Sequence, residues 1–353
     1  MRGLRCALIG LGAAGAGMAV ELLSRGHDIC GWWDSDADIA PAIAAVQGLS
    51  YEGAVGRGAI ALPAQSASAV EAIAGADVVF VSTTADQHRE VARSIRQGVD
   101  RDQIFILNCG YVGGSKMFHD SLEIGISYRE SRIFELNTTI HLSGKINHAN
   151  LFIRGVKKWM EISGPEEATK SEPFRALMAS FPEFAYTASI LESGLNNPNC
   201  IGHVPGSIGN AVALGRELTP SSTGLLHFEE ARRGRVSALC TALETERDRL
   251  LRALGLEPVP TLRFHQRAYP AGTYLHGGIP RFGPMVQSRY LVEDVPCSLV
   301  PMESLGALVG METPVITAMI TLSEIVAGCN LRDIGRTVDV MGKDWVLSQL
   351  KRE

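Results

Sequence analysis

Three short stretches combine residue types and spacings that can do chemistry. The first is Gly10-Leu11-Gly12-Ala13-Ala14-Gly15, a G-x-G-x-x-G pattern between an apolar run at 4–9 and an Ala-, Met- and Leu-rich stretch at 13–25 that Gly26 is placed to stop. Glycines so spaced permit a tight strand-to-helix turn, and a pyrophosphate can then approach the positive end of the helix. Asp34 ends a second apolar run at 29–33, where a carboxylate accepts hydrogen bonds from the hydroxyls of an adenosine ribose. Gly10, Gly12, Ala13, Ala14, Gly15 and Asp34 are therefore the expected dinucleotide contacts, with Thr83, in the loop after a later apolar run, as a further one. No Arg or Lys directly follows Asp34 to receive a 2'-phosphate, which favours NAD, while Ser35 keeps NADP open.

The second stretch is Asn197-Pro198-Asn199-Cys200-Ile201-Gly202-His203-Val204-Pro205-Gly206, read as a polar loop punctuated by Pro and Gly. His203 is able to exchange a proton near neutral pH, although by type alone such a histidine is more often a structural hydrogen-bonding group. The third, Arg289-Tyr290-Leu291-Val292-Glu293-Asp294-Val295-Pro296, supplies a cation for a carboxylate and an acid able to orient an imidazole. Its plainer reading is a solvated segment with a local ion pair. Pro296 and the apolar residues after it point instead to a loop entering a buried helix.

These groups need elements to hold them. With 353 residues and 46% hydrophobic content, the chain can bury a full core and suits two domains. Apolar runs at 4–9, 29–33, 77–82 and 104–108, separated by helix-length segments, predict a parallel, doubly wound sheet. Runs at 133–137, 151–154 and 159–163 read as further strands extending it. From about residue 191 helical patterns take over, at 224–254, 300–310 and 314–328. The expected fold is an α/β Rossmann-type domain over 1–188 followed by an all-α substrate domain over 189–353, with 277–284 a Gly/Pro loop.

Bulk properties narrow the partners. Lys and Arg number 33 against 38 Asp and Glu, and no basic tract stands out, so nucleic acid and anionic membranes are disfavoured and a small molecule is expected. Seven scattered cysteines without a C-x-x-C pair argue against a disulfide framework or a zinc site. No signal-peptide zones open the chain and no apolar stretch approaches ~18 residues, which leads to a cytoplasmic expectation. Helical second domains often dimerise, so a homodimer fits. His88, His119, His141, His148, His265 and His276 are candidates by type alone, with His88, after the 77–82 run, the one expected near the cofactor. Trp32 and Trp33 read as packing residues.

Further landmarks follow in order. Leu107-Asn108-Cys109-Gly110-Tyr111-Val112-Gly113-Gly114 resembles a P-G-x-x-G-G turn, Glu244-Thr245-Glu246-Arg247 a D-x-E-R helix, and Gly335-Arg336-Thr337 a closing G-R-T segment. With the His203 and Arg289–Asp294 stretches they make the chain resemble the octopine/nopaline dehydrogenase family, the opine dehydrogenases and synthases, across nearly its whole length. The resemblance implies reductive joining of an amino acid's amino group to the carbonyl of a 2-oxo acid through an imine, with NAD(P)H as reductant. It further implies His203 as catalytic histidine, Asp294 as its partner carboxylate and Arg289 as the substrate-carboxylate residue. The chain departs from the pattern in three places. Cys200 and Val204-Pro205 stand where N-x-N-P-x-x-H-P has prolines, Cys109 and Tyr111 replace Pro and Arg in the turn, and Ile140-His141 follows the strand end Glu135-Leu136-Asn137-Thr138-Thr139 where aromatic or proline residues are usual. An altered substrate pair would follow.

Two other readings compete. A 2- or 3-hydroxy-acid or ketopantoate-type dehydrogenase would share the architecture and reduce the oxo acid without an amine. Such enzymes commonly use a lysine in the helical half, and after Lys170 only Lys343 and Lys351 remain. A non-catalytic NAD-binding protein would bind the cofactor without turnover.

Overall fold

The computed structural model describes residues 3–100, 102–209, 235–270 and 287–350. Residues 224–234 of the expected helix 224–254, the loop 277–284 and His276 lie outside them. The fold separates into two compact units: Met1–Gly110, Gly114–Ala188 and Arg267–Phe282 form the first, and Tyr111–Gly113, Ser189–Gln266 and Gly283–Glu353 the second. The division is thus not a single cut, because residues 111–113 and the segment starting at Arg267 each sit across it in sequence.

The first unit opens β1 (Arg5–Ile9), α1 (Ala13–Ser24), β2 (Asp28–Trp33), α2 (Ile39–Val46), β3 (Gly48–Gly53), β4 (Gly58–Ala61), α3 (Ala69–Ile73), β5 (Val78–Val81), α4 (His88–Ile95), β6 (Ile104–Leu107) and α5 (Gly114–Leu122). It continues β7 (Ile133–Leu136), β8 (His141–Asn147), β9 (Asn150–Val156), β10 (Met160–Ser163), α6 (Glu172–Ser180) and β11 (Phe184–Thr187). Seven strands form the main sheet in the order β11-β10-β7-β6-β5-β1-β2. β2, β1, β5, β6 and β7 run parallel, and β10, which holds the run read at 159–163 as extending the sheet, joins β7 antiparallel.

The central strands β5 and β6 are apolar at every position because helices cover both faces. Leu8, Phe80, Ile106 and Phe134 turn to one face, with Met18 and Leu22 of α1 and Leu177 of α6. Ile9, Val79, Phe105 and Leu107 turn to the other, with Ile73 of α3, Ile95 of α4 and Phe118 of α5. Trp32 is buried, its indole N–H donating to Pro63 O at 2.8 Å, the packing role expected of it.

The run at 151–154 corrects an expectation. It belongs to β9, which lies not in the main sheet but in a second, four-stranded one, ordered β4-β3-β9-β8. Periodicity identifies a strand without naming its partner. The second sheet packs on α1 through a buried ionic group. His141 Nε2 meets Glu21 Oε1 at 2.9 Å, and Arg25 bonds both Glu21 (2.7 Å) and Glu183 (3.0 Å). Gly17 of α1 is required beside it, since a Cβ there would stand 2.5 Å from His141 Nδ1.

The second unit contains α7 (Ile190–Leu195), α8 (Asn199–Gly209), α9 (Val236–Ala253), the start of α10 (Thr261–Ala268), α11 (Gln287–Val292), a π-helical turn (Val295–Leu299), α12 (Val300–Leu308), α13 (Pro314–Ala327), α14 (Val338–Met341) and α15 (Lys343–Leu350). Two segments read as loops prove helical. Residues 199–206 fall within α8 despite Pro205, which forfeits one backbone hydrogen bond inside a helix buried on nearly all sides. Residues 289–296 run through α11 into the π-helical turn, which carries Pro296 near its start, with the helical bonds Glu293 N–H to Arg289 O and Cys297 N–H to Glu293 O on either side.

Two of the sequence landmarks are architectural. The Glu246 carboxylate accepts the N–H groups of Val315 and Ile316, capping α13, and Glu244 accepts that of Thr261, at the start of α10. Arg247, fully buried, donates to Val259 O. Thr337 caps α14 through Val340 N, and Arg336 Nη1 donates to Val112 O at 3.2 Å.

Burial by itself would raise the Glu21 pKa, but the His141 hydrogen bond and charge, with Arg25, bring it down to about 2. Its contribution to stability is complete above the ordinary carboxylate value of 4.5 and is lost as pH falls towards 2. Glu21→Ala should cost about 3 kcal/mol at pH 7. Chemical denaturation from pH 7 to 2.5 should show a shallower acid loss for the variant than for the unaltered chain; parallel curves would contradict this account.

Candidate active site

In the first unit, Gly10 ends β1 in a left-handed conformation (φ 90°), and its N–H donates to Trp33 O at 2.8 Å. A Cβ at Gly10 would lie 2.9 Å from Ser82 C and Thr83 N, and one at Gly15 only 2.0 Å from Gly10 O. Both positions demand glycine for close approach of β1, α1 and the residues after β5. Gly12 differs: a Cβ there would meet nothing within 4 Å, so open space lies over the N-terminus of α1. Gly12 caps that helix without a side-chain hydrogen bond, leaving the first N–H groups to a ligand. Because strand order reverses between β1 and β5, this is the switch point at which doubly wound sheets bind ligands.

Asp34 follows β2, and each of its carboxylate oxygens accepts one backbone N–H, from Leu11 (2.5 Å) and from Asp36 (2.9 Å). A carboxylate has lone pairs beyond those two, which suit ribose hydroxyls. Thr83 Oγ1 and Asn108 Oδ1 are buried acceptors without a hydrogen-bond partner, and Asn108 Nδ2 donates to Ser82 Oγ at 3.1 Å. Unfilled acceptors, open space and exposed helix N–H groups together fit the diphosphate and ribose of a dinucleotide. His88, expected nearby, instead opens α4 fully buried, edge-on to Phe118. The turn after β6 is strained, with non-glycine residues Cys109 (φ 102°) and Tyr111 (φ 61°) in the left-handed region.

In the second unit, His203 on α8 and Asp294, just past α11, are brought together. His203 Nδ1 stands 2.8 Å from Asp294 Oδ2, and both groups are buried. A carboxylate oxygen accepts, so Nδ1 carries the hydrogen and Nε2 is the imidazole's basic nitrogen. Asp294 Oδ1 has no hydrogen-bond partner. Tyr290, one helical turn before Asp294, lays its ring on the imidazole at 4.1 Å between centroids. That aromatic contact was missed; the i, i+4 spacing of Tyr290 and Asp294 was its only signal.

Arg289 sits beside this pair, half exposed. Its Nε is 3.7 Å from Glu293 Oε2, too far for a direct hydrogen bond. Among the described residues no cluster of three or more His, Cys, Asp or Glu is arranged to hold a metal, and no helix is long and apolar enough to cross a membrane.

Comparison with known proteins adds to the geometry. Residues 186–327 match the family model described as NAD/NADP octopine/nopaline dehydrogenase, alpha-helical domain, and residues 5–107 match that of NADP oxidoreductase, coenzyme F420-dependent. The opine dehydrogenase of Arthrobacter sp. (strain 1C) is 26% identical over 347 residues, 95% of this chain and 94% of its own length. An octopine dehydrogenase structure with NADH and pyruvate superposes with a TM-score of 0.72 at 15% identity, covering 99% of both chains. A yersinopine dehydrogenase with NADP+ bound gives 0.71 at 14%, covering 99% of this chain and 98% of that one.

Cys200, which takes a proline position of the histidine motif, lies one turn before His203. Burial, then the charge of Asp294, push its thiol up to about 12, so it is no nucleophile at neutral pH. In the native protein at pH 8, iodoacetamide should alkylate exposed Cys329 at least about a hundredfold faster than Cys200, as read by peptide mass spectrometry. Comparable rates would show that the α8 environment is open to solvent.

Proposed function

We propose that this chain, an NAD(P)-dependent oxidoreductase of the octopine/nopaline dehydrogenase family, reductively condenses an amino acid with a 2-oxo acid. The observation that carries the reading is the buried His203–Asp294 hydrogen bond, roofed by Tyr290 and flanked by Arg289. Gly10, Gly12, Ala13, Ala14, Gly15, Asp34 and Thr83 would hold the cofactor, the turn and helix N–H groups taking the pyrophosphate and Asp34 the adenosine ribose. When bound, the reduced nicotinamide supplies hydride to the imine carbon.

The remaining chemistry falls to side chains of the helical unit. Arg289 pairs with the carboxylate of the oxo acid and fixes the orientation of its carbonyl. The amine adds to that carbonyl and water leaves, which requires a proton for the departing oxygen. His203 Nε2 takes a proton from the substrate ammonium, freeing the amine to add, and delivers it to that oxygen, while Asp294 stabilises the imidazolium that carries the proton between the two. Asp294 also fixes the tautomer, so that Nδ1 never competes as the acid. Tyr290 restricts the ring to one plane. Reduction of a protonated imine then gives the secondary amine without a further external acid.

The test is oxidation of NADH and NADPH with pyruvate or 2-oxoglutarate, each with and without a panel of amino acids. A rate that depends on the amine is expected. Turnover with the oxo acid alone would move the reading to a hydroxy-acid dehydrogenase, and cofactor binding without turnover to a non-catalytic binder. His203→Ala should lower kcat by about 10²- to 10⁴-fold. Arg289→Lys should act chiefly on the KM of the oxo acid, raising it about tenfold, because an ammonium cannot reproduce a bidentate contact. Native kcat in His203→Ala would remove the acid–base role.

A further inference from the structure

Lys145 stands on β8, far in sequence from the glycine turn. Alternation along the strand puts His141, Ser143 and Lys145 on one face. The first two touch α1: His141 bonds Glu21 at 2.9 Å, and Ser143 Oγ donates to Ala13 O at 3.3 Å. From Gly17, which the His141 ring abuts, to Ala13 is four helix residues, about 6 Å, and the two strand residues span about 6.6 Å, so strand and helix advance nearly in step. Ser143 already marks the first residue of α1. Lys145 therefore lies past the helix start, on the side of the glycine turn.

Its surroundings agree with that placement. Asp34 and Asp36 are the two carboxylates whose charges act on it, and its ammonium donates to His148 O at 2.7 Å. Burial outweighs those carboxylates and holds its pKa down at about 8, the condition of a cation that an added anion would stabilise. Gln65 reaches the same place, its Nε2 donating to Asp34 O at 3.3 Å while its buried Oε1 has no hydrogen-bond partner. A polar site with a cation thus adjoins the carboxylate assigned to the adenosine ribose.

We infer that Lys145 receives the adenosine 2'-phosphate of NADPH, so that the chain accepts this cofactor alongside NADH. The inference rests on the dinucleotide reading of Gly10–Gly15 and Asp34. Asp34 retains acceptors for the ribose hydroxyls of NADH, and Lys145 supplies the charge that a 2'-phosphate needs so close to two carboxylates.

Calorimetric titration with adenosine 2',5'-bisphosphate and adenosine 5'-monophosphate tests this without turnover. The unaltered chain should bind the bisphosphate at least as tightly as the monophosphate. Lys145→Gln, which keeps a donor for His148 O, and Lys145→Met should each lower the ratio of bisphosphate to monophosphate affinity about tenfold, while Lys145→Arg keeps it. An unchanged ratio in the Gln variant would overturn the inference. So would equal losses for both ligands, which would place Lys145 at the 5'-phosphate or in the packing of β8. If the unaltered chain bound neither nucleotide, the dinucleotide reading itself would fall.

Discussion

A carboxylate with no exposed surface has to be compensated by its neighbours, and in the helical unit that requirement falls on Asp294. Its contact with His203 joins two segments far apart in sequence, and both are shaped to permit it. α8 is buried on nearly all sides, so its histidine is held in a packed interior. The π-helical turn beginning at Val295 directly follows Asp294 and opens on Pro296. A wider turn of this kind re-aims side chains and is frequent at functional sites. Removing either partner would strand the other, which makes the pair a constraint on the packing of α8 and α11 as well as a candidate acid–base device.

The first unit solves a comparable problem around α1. One end of that helix is bare, with Gly12 as cap and open space above it. Further along, Glu21 is bound by His141 from the second sheet and by Arg25, which also reaches Glu183 just before β11. The ionic group ties both sheets to one helix. The same strand that anchors α1 through His141 carries Ser143 to its first residue and Lys145 beyond it, so the support of the nucleotide turn and its polar surroundings come from one element.

Much of this was legible in residue order. Unbroken apolar runs marked the parallel strands, because burial on both faces leaves no alternation, and the glycine spacing marked their junction with α1. His203, Asp294 and Arg289 were singled out through the family resemblance, and the structure brings the first two into contact; on composition alone the histidine read more readily as structural. The loops assigned to 197–206 and 289–296 were misread, since Pro and Gly punctuate an isolated segment strongly but yield where surrounding helices bury it. The E-T-E-R segment, noted as a family landmark, caps helices, because a carboxylate serves an unpaired helix N–H as readily as it serves a substrate.

The sequence by itself determined the elements that depend on local periodicity and turn chemistry: the parallel strands, the glycine turn, the helical second half, and the residue types available for proton transfer and carboxylate binding. Only the tertiary structure decided which of those residues meet. Nothing near residue 145 announces the glycine turn, and nothing near residue 290 announces an imidazole beneath its ring. Such contacts are set by how sheets and helices pack, and packing depends on the shape and burial of the whole unit, which no window of sequence contains.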